Sequence, residues 1–372
     1  MTHEYLTGNS MNRMRPRRAG AHLFNGLFLG LATVALTLGS PAIAQTLAPS
    51  LTGGVVFTAD EYGATISSID LKSGKVTTVP ATIEPHNIQI SSDGSLLLAV
   101  GIAPDPTAQS TDQASGGDMA GMAAPGEVVL FDPHHMIAGP VARIAVGMHP
   151  AHVITDLAGK RAFVTNAEDD TLSVIDLASR KVTATVPTGD YPHGQRLSPD
   201  GREIMIANVQ SGTVSVIDTE TLKEIASIPV GITPVQVGFT PDGSLLYVSL
   251  RDVNQVAVVD VKARKLVATV DVGRNPIQVF ATPDGRFVYV ANQGTEANPD
   301  NIVSVIEVAT NKVVATIVTG RGAHGVVVSR DGATVFVTNI LDATVSAIDV
   351  ATQTVIATIP VGKGPNGITY LP

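Results

Sequence analysis

The chain contains no cysteine. Disulfides, thiolate metal sites, covalent c-type haem attachment and cysteine nucleophiles are therefore excluded. A fold of this size without a covalent staple must rest on its core. Basic charge is also scarce. Residues 1–44 hold four of the 24 Lys and Arg and one of the 33 Asp and Glu, which leaves a formal charge of −12 on the remainder. Such a surface repels phosphate backbones, so general nucleic-acid binding is disfavoured. No Gly-x-Ser-x-Gly elbow, His-Glu-x-x-His pair or phosphate-cradling loop occurs. The frequent Asp-Gly pairs sit in turn contexts and do not read as calcium loops. Beyond residue 44 no run is apolar enough to cross a bilayer as a helix.

What is present begins with an export signal. Arg13, Arg15, Arg17 and Arg18 precede an apolar run from Leu23 to Leu38, followed by Ala42-Ile43-Ala44 before Gln45. A basic start, a short apolar segment and small residues at the cleavage positions predict a secretory signal peptide over residues 1–44. The mature protein is then periplasmic or extracellular, with no integral membrane segment.

Residues 45–372 are repetitive. A run like Ser-Val-Ile-Asp ends at Asp70, Asp132, Asp176, Asp218, Asp260, Glu307 and Asp349, most often 42 residues apart. Each run alternates apolar with small or polar residues, as a half-buried strand does. A second strand follows, for example Lys181–Val186, and then a third that enters a tight turn such as Ser198-Pro199-Asp200-Gly201 or Thr282-Pro283-Asp284-Gly285. Proline presets one φ in such a turn and glycine accepts a positive one. A fourth strand closes the unit: Phe163-Val164-Thr165-Asn166, Tyr289-Val290-Ala291-Asn292 or Phe336-Val337-Thr338-Asn339. Seven such units predict an all-β, seven-bladed β-propeller of four-stranded blades. The last unit stops at Tyr370, and Val56–Asp60 aligns with Val335–Asn339. The residues near 53–62 are therefore expected to supply its missing strand, in the blade containing Asp349, and close the ring.

These strands resemble the YVTN family of propeller repeats over nearly all of the mature chain. The resemblance implies that the strand entering each Pro-Asp-Gly-type turn is the innermost of its blade, with its first residues at the channel mouth. On that alignment His86, His193 and His324 share one level with Asn366, and Asn87, His152, Gln236 and Gln278 come one residue deeper. His149 sits just before the ring. Imidazole ligates copper, zinc or nickel and titrates near neutrality, so His86, His152, His193 and His324 form a candidate metal set whose binding would weaken below about pH 6. The long segment at 101–127 reads as a flexible loop. Its Met119 and Met122 could add thioether ligands, which favours copper as the possible cofactor. Arg274 and Arg321, with Lys363, precede inner strands of successive blades and could receive an anionic ligand beside His324.

Three readings follow. The first is a binding or scaffold protein that uses the channel-mouth face for an unknown protein or small-molecule ligand. The second is a copper-associated or other metal-associated protein. The third is a lactonase-like or lyase-like enzyme, since similar propellers carry His, Glu or Arg at the mouth; Glu84 is the one obvious glutamate beside the ring. Mass spectrometry of the exported protein is expected to find Gln45 at or near the amino terminus. A mature species that retains Leu23–Leu38 would indicate a membrane anchor instead.

Overall fold

The computed structural model describes residues 51, 53–104 and 125–372. The expected signal segment, Met119 and Met122 lie outside the described residues. The described chain forms seven four-stranded antiparallel sheets, with no α-helix among the described residues. No described helix is long and apolar enough to cross a membrane.

Blades are numbered here by their innermost strands: Glu84–Ile90, Pro150–Thr155, Pro192–Leu197, Pro234–Phe239, Pro276–Ala281, Ala323–Val328 and Pro365–Leu371. Each inner strand contacts those of the blades on either side, and the seventh contacts the first, so the strands form a closed ring. The seventh blade is shared by the two ends of the chain. Val55–Asp60 pairs with Pro365–Leu371 on one edge and with Thr65–Asp70 on the other. This closure corrects one detail of the repeat reading. Asp349 lies in blade 6, and the closing strand completes blade 7, which carries Asp70. The sequence repeat is staggered against the blade because the chain passes from the outer strand of one blade directly to the inner strand of the next. The segment expected as a loop at 101–127 is also shorter at its ends. Gly101 pairs with Glu127 and Ile102 with Gly126.

The core lies between blades, where the alternating apolar residues of neighbouring sheets meet. Between blades 2 and 3, for example, Ile154, Phe163, Leu172 and Val174 pack on Ile204, Ile206 and Ile217. Each such side chain, fully buried, contributes roughly 1.5–3 kcal/mol, which is how a chain without disulfides sustains the fold. Neighbouring blades are also joined by polar bonds. Tyr247 of blade 4 donates to the Asn311 side chain of blade 5 at 2.8 Å.

A polar latch recurs where the channel-mouth loop begins in blades 2, 3, 5, 6 and 7. Asn166 donates to Thr171 and Ser173 at 3.0 and 2.9 Å and accepts the Gly147 N–H at 3.1 Å. Asn339 does the same with Thr344, Ser346 and Gly320. Asn208 makes the two donor bonds in blade 3. A Cβ on Gly147, Gly189, Gly273 or Gly320 would collide with the asparagine below it. In the closing blade the asparagine is replaced by Asp60, which receives hydroxyl hydrogens from Thr58 and Ser67, both at 2.6 Å, and from Thr65 at 3.1 Å.

Asp60 is fully buried, and burial pushes its carboxyl up to about 6, against the three hydroxyl donors that favour the charged form. The folded state therefore prefers the protonated acid. That preference contributes in full below the ordinary carboxyl range near 4 and is lost as pH rises through about 6. At pH 7.5 the ionised group should cost about 3 kcal/mol. Asp60→Asn restores the amide found in blades 2, 3, 5 and 6. It is expected to raise the melting temperature by several degrees at pH 7.5 and by little at pH 4. Equal shifts at both pH values, by calorimetry, would contradict the assignment.

Candidate channel-mouth histidine site

Three of the four candidate histidines meet. His86, His152 and His193, from blades 1, 2 and 3, have ring nitrogens that all lie within 4.8 Å of one another. His86 Nε2 and His193 Nε2 are 3.2 Å apart. The His152 ring centroid stands 5.1 Å from that of His193 and 6.1 Å from that of His86. His152 comes from one residue deeper along its strand, yet it reaches the same point. Each inner strand carries a register shift near its start, including Pro150/Val153 in blade 2, and such a bulge re-aims the side chains beside it.

The outer nitrogens are held by acceptors. His86 Nδ1 lies 3.1 Å from Glu61 Oε1, and the Asn366 amide donates to the other carboxylate oxygen. Burial pushes the Glu61 carboxyl up, but the facing charge of His86 and the bonds from His86 and Asn366 outweigh it and hold the group below its usual range. An ionised carboxylate only accepts, so His86 Nδ1 carries the hydrogen and donates it. His193 Nδ1 faces the Val235 carbonyl at 3.2 Å and donates likewise. These assignments, made from the partners, direct both Nδ1 hydrogens outward, so the two Nε2 atoms, 3.2 Å apart, share one added proton or, with both rings neutral, can share one metal ion.

Burial, reinforced by the neighbouring imidazoles, holds His152 and His193 well below the ordinary histidine range. They are neutral at pH 7 and suited to ligate. Protonation therefore competes at these two rings only at a lower pH than the value near 6 expected from an ordinary imidazole.

The remaining predicted residues divide by role. His324 is buried, and its Nδ1 donates to the Asn366 carbonyl at 3.2 Å. It is not among the clustered three, because Asn366 of blade 7 holds its ring. The four-histidine set is thus corrected to three. Burial carries His324 down to about 4. Asn87 and Gln278 join blades: they accept Val153 N–H and Val326 N–H, each at 3.3 Å. Gln236 accepts its neighbour's N–H through Oε1, which turns its amide nitrogen to within 3.4 Å of His152 Nδ1. Arg274 and Arg321 face Asp300 and Asp342 at 3.7 and 2.7 Å, so the expected cationic sector is largely neutralised. His149 lies outside the cluster, 3.6 Å from Glu168.

Glu61 is the residue the sequence reading missed; Glu84 had stood in its place as the only obvious glutamate. The signal was present. Laying Asp60 on Asn339 lays Glu61 on Ile340, where Ala167 and Val209 also fall. A carboxylate at an otherwise mostly apolar repeat position marks a site.

Comparison with known proteins agrees with this architecture. Residues 139–246 match the YNCE-like beta-propeller family and residues 242–367 the cytochrome D1 heme domain. No curated protein matches significantly. Among solved structures, the chain is similar to hydrazine synthase of Kuenenia stuttgartiensis, at 22% identity and TM-score 0.63, covering 76% of this chain and 88% of that one. It is also similar to a functionally unknown protein from Desulfotomaculum acetoxidans, at 15% identity and TM-score 0.67, covering 86% and 99%. A putative 6-phosphogluconolactonase from Bacteroides uniformis gives 14% identity and TM-score 0.67, covering 86% and 100%. At these identities the likeness concerns the fold alone. The seven closed four-stranded blades make the chain a seven-bladed β-propeller, and its residues 139–246 are similar to the YNCE-like propeller family.

Proposed function

We propose that this protein is an exported metal-binding propeller that holds a divalent transition-metal ion at its channel mouth through His86, His152 and His193. The observation that carries the reading is the convergence of three imidazoles, with His86 Nε2 and His193 Nε2 3.2 Å apart. Imidazoles on one tetrahedral ion at about 2.0–2.1 Å stand about 3.3 Å apart, so the pair needs little movement to share an ion. Glu61 then acts from behind. A carboxylate that accepts the Nδ1 hydrogen fixes the tautomer and ring orientation of a ligating histidine and strengthens it as a donor. Three neutral nitrogen ligands suit Zn(II) and Cu(II) alike, and with three protein ligands a fourth position stays open for water or a ligand.

The similarity to a cytochrome D1 heme domain and to a putative 6-phosphogluconolactonase is a likeness of fold and does not choose a ligand. An enzymatic role therefore stands as the second outcome of the same experiment, since an open metal site can activate water.

Calorimetric titration of the mature protein with Zn(II) and Cu(II) tests the reading. One ion per chain is expected. His193→Ala should weaken binding about a hundredfold or more, and Glu61→Gln by roughly tenfold, the range seen for outer partners of ligating histidines. Because burial depresses the His152 and His193 values, their contribution should persist from pH 7.5 to 6 and fall in more acid solution. Equal affinity in parent and His193→Ala, or no binding in either, overturns the metal reading. Lactone turnover by the metal-loaded protein, lost in His193→Ala, would convert it into an enzyme.

A further inference from the structure

The seven inner strands carry very little charge. Their only carboxylic acid is Glu84, at the mouth end of blade 1, and their only arginine or lysine is Arg196, in blade 3. The equivalent positions in the other blades are Gln89, Ile154, Gly238, Phe280, Val327 and Thr369, none of them charged. Arg196 is three residues along its strand from His193, roughly 10 Å deeper into the channel at strand spacing. Its guanidinium lies over the Phe280 ring of blade 5, 5.8 Å from the centroid. The side chain therefore reaches past blade 4 to blade 5. Its hydrogen bond goes to the carbonyl of its own neighbour, Gln195, at 3.0 Å. Among the described residues no carboxylate lies within ion-pair distance. This contrasts with the surface cations Arg143, Arg161, Arg264 and Arg321, all of them paired.

Burial alone lowers this guanidinium, to about 10, so it remains a cation at neutral pH. Its field reaches the cluster above, where it helps hold His152 neutral. An enclosed cation without a counter-charge is costly. A packed core would replace it with an aliphatic side chain, as Ile154 and Val327 do at the equivalent positions. A group retained at such a cost points to a ligand that supplies the missing charge.

We propose that the channel beneath the histidine cluster binds a small organic monocarboxylate, its carboxylate paired with Arg196 and its apolar body against Phe280. The charge count selects a monoanion, because one guanidinium balances one carboxylate and leaves a dianion in excess. The geometry selects a planar group. The guanidinium lies over the Phe280 ring and gives one N–H to the Gln195 carbonyl, and its remaining N–H groups can form a two-pronged pair with a carboxylate. The inference stands apart from the metal reading, because it needs no ion at the mouth.

The test uses the mature protein in EDTA at low ionic strength, titrated calorimetrically with butyrate, acetate and sulfate. Butyrate is expected to bind once per chain, more tightly than acetate, which lacks the apolar body, and more tightly than sulfate. Arg196→Gln should weaken butyrate about tenfold or more, and Arg196→Lys should retain part of the affinity. Without ligand, Arg196→Gln should melt no lower than the parent, since it removes an uncompensated charge. Butyrate should raise the melting temperature of the parent alone. His193→Ala should bind butyrate within about threefold of the parent, whatever it does to metal. Four outcomes overturn the proposal: equal butyrate affinity in parent and Arg196→Gln, no butyrate binding to the parent, tighter binding of sulfate, or an unliganded Arg196→Gln that melts clearly lower. None of these bears on the metal titration.

Discussion

The propeller mouth depends on a small polar latch that fixes where the inner strand begins in five of the seven blades, blades 2, 3, 5, 6 and 7. In blades 2 and 6 an asparagine at the end of the second strand accepts the N–H of a glycine and donates to two hydroxyls on the third strand. The glycine has no side chain because the asparagine already fills that space. Two to four residues after such a glycine come His149, His193, His324 and Asn366. A latch displaced by an ångström would displace the imidazoles with it. The apolar contacts between blades supply most of the stability, but they are periodic and nearly alike from blade to blade. The latch fixes the register of individual side chains at the mouth.

The site repeats this economy of partners. Glu61 and the Val235 carbonyl each accept a hydrogen from Nδ1 of an imidazole, so the opposite nitrogens face each other with at most one proton between them. Neither partner need touch a ligand. Their effect is to decide which nitrogen holds the proton, and with it whether the mouth presents donors or acceptors. Asn366 ties the arrangement across the closing blade, since its amide donates to Glu61 and its carbonyl receives the His324 hydrogen. Ring closure and site assembly are for that reason one event: the strand that closes the propeller is followed at once by the carboxylate that orients His86.

Two charges work against the fold, Asp60 fully buried and Arg196 half-buried. Asp60 stands where the other latches have an amide, and Arg196 stands in a channel wall that elsewhere is neutral at the same level. Both lie on elements that also carry the site. Asp60 precedes Glu61, and Arg196 shares a strand with His193. Such departures from a repeated pattern are where selection for something other than stability is to be sought.

The amino-acid sequence by itself determined the seven blades, their four strands and the closure by both termini. These follow from period-two patterning, turn chemistry and a repeat count, all of them local or additive along the chain. It also brought His86, His152 and His193 to one end of the channel, because repeat alignment converts position into depth. Tertiary structure decided the rest. The bulges let His152 join from a deeper position, while His324 was claimed by Asn366 from the next blade. Asp300 and Asp342 neutralised the arginines that looked free in the sequence. Glu61 entered the site from the opposite end of the chain, 25 residues before His86 and 305 before Asn366. Contacts across blades join residues whose separation along the chain carries no information about their meeting. Only the closed ring sets the distances between them, and those distances fix protonation, pairing and ligand chemistry.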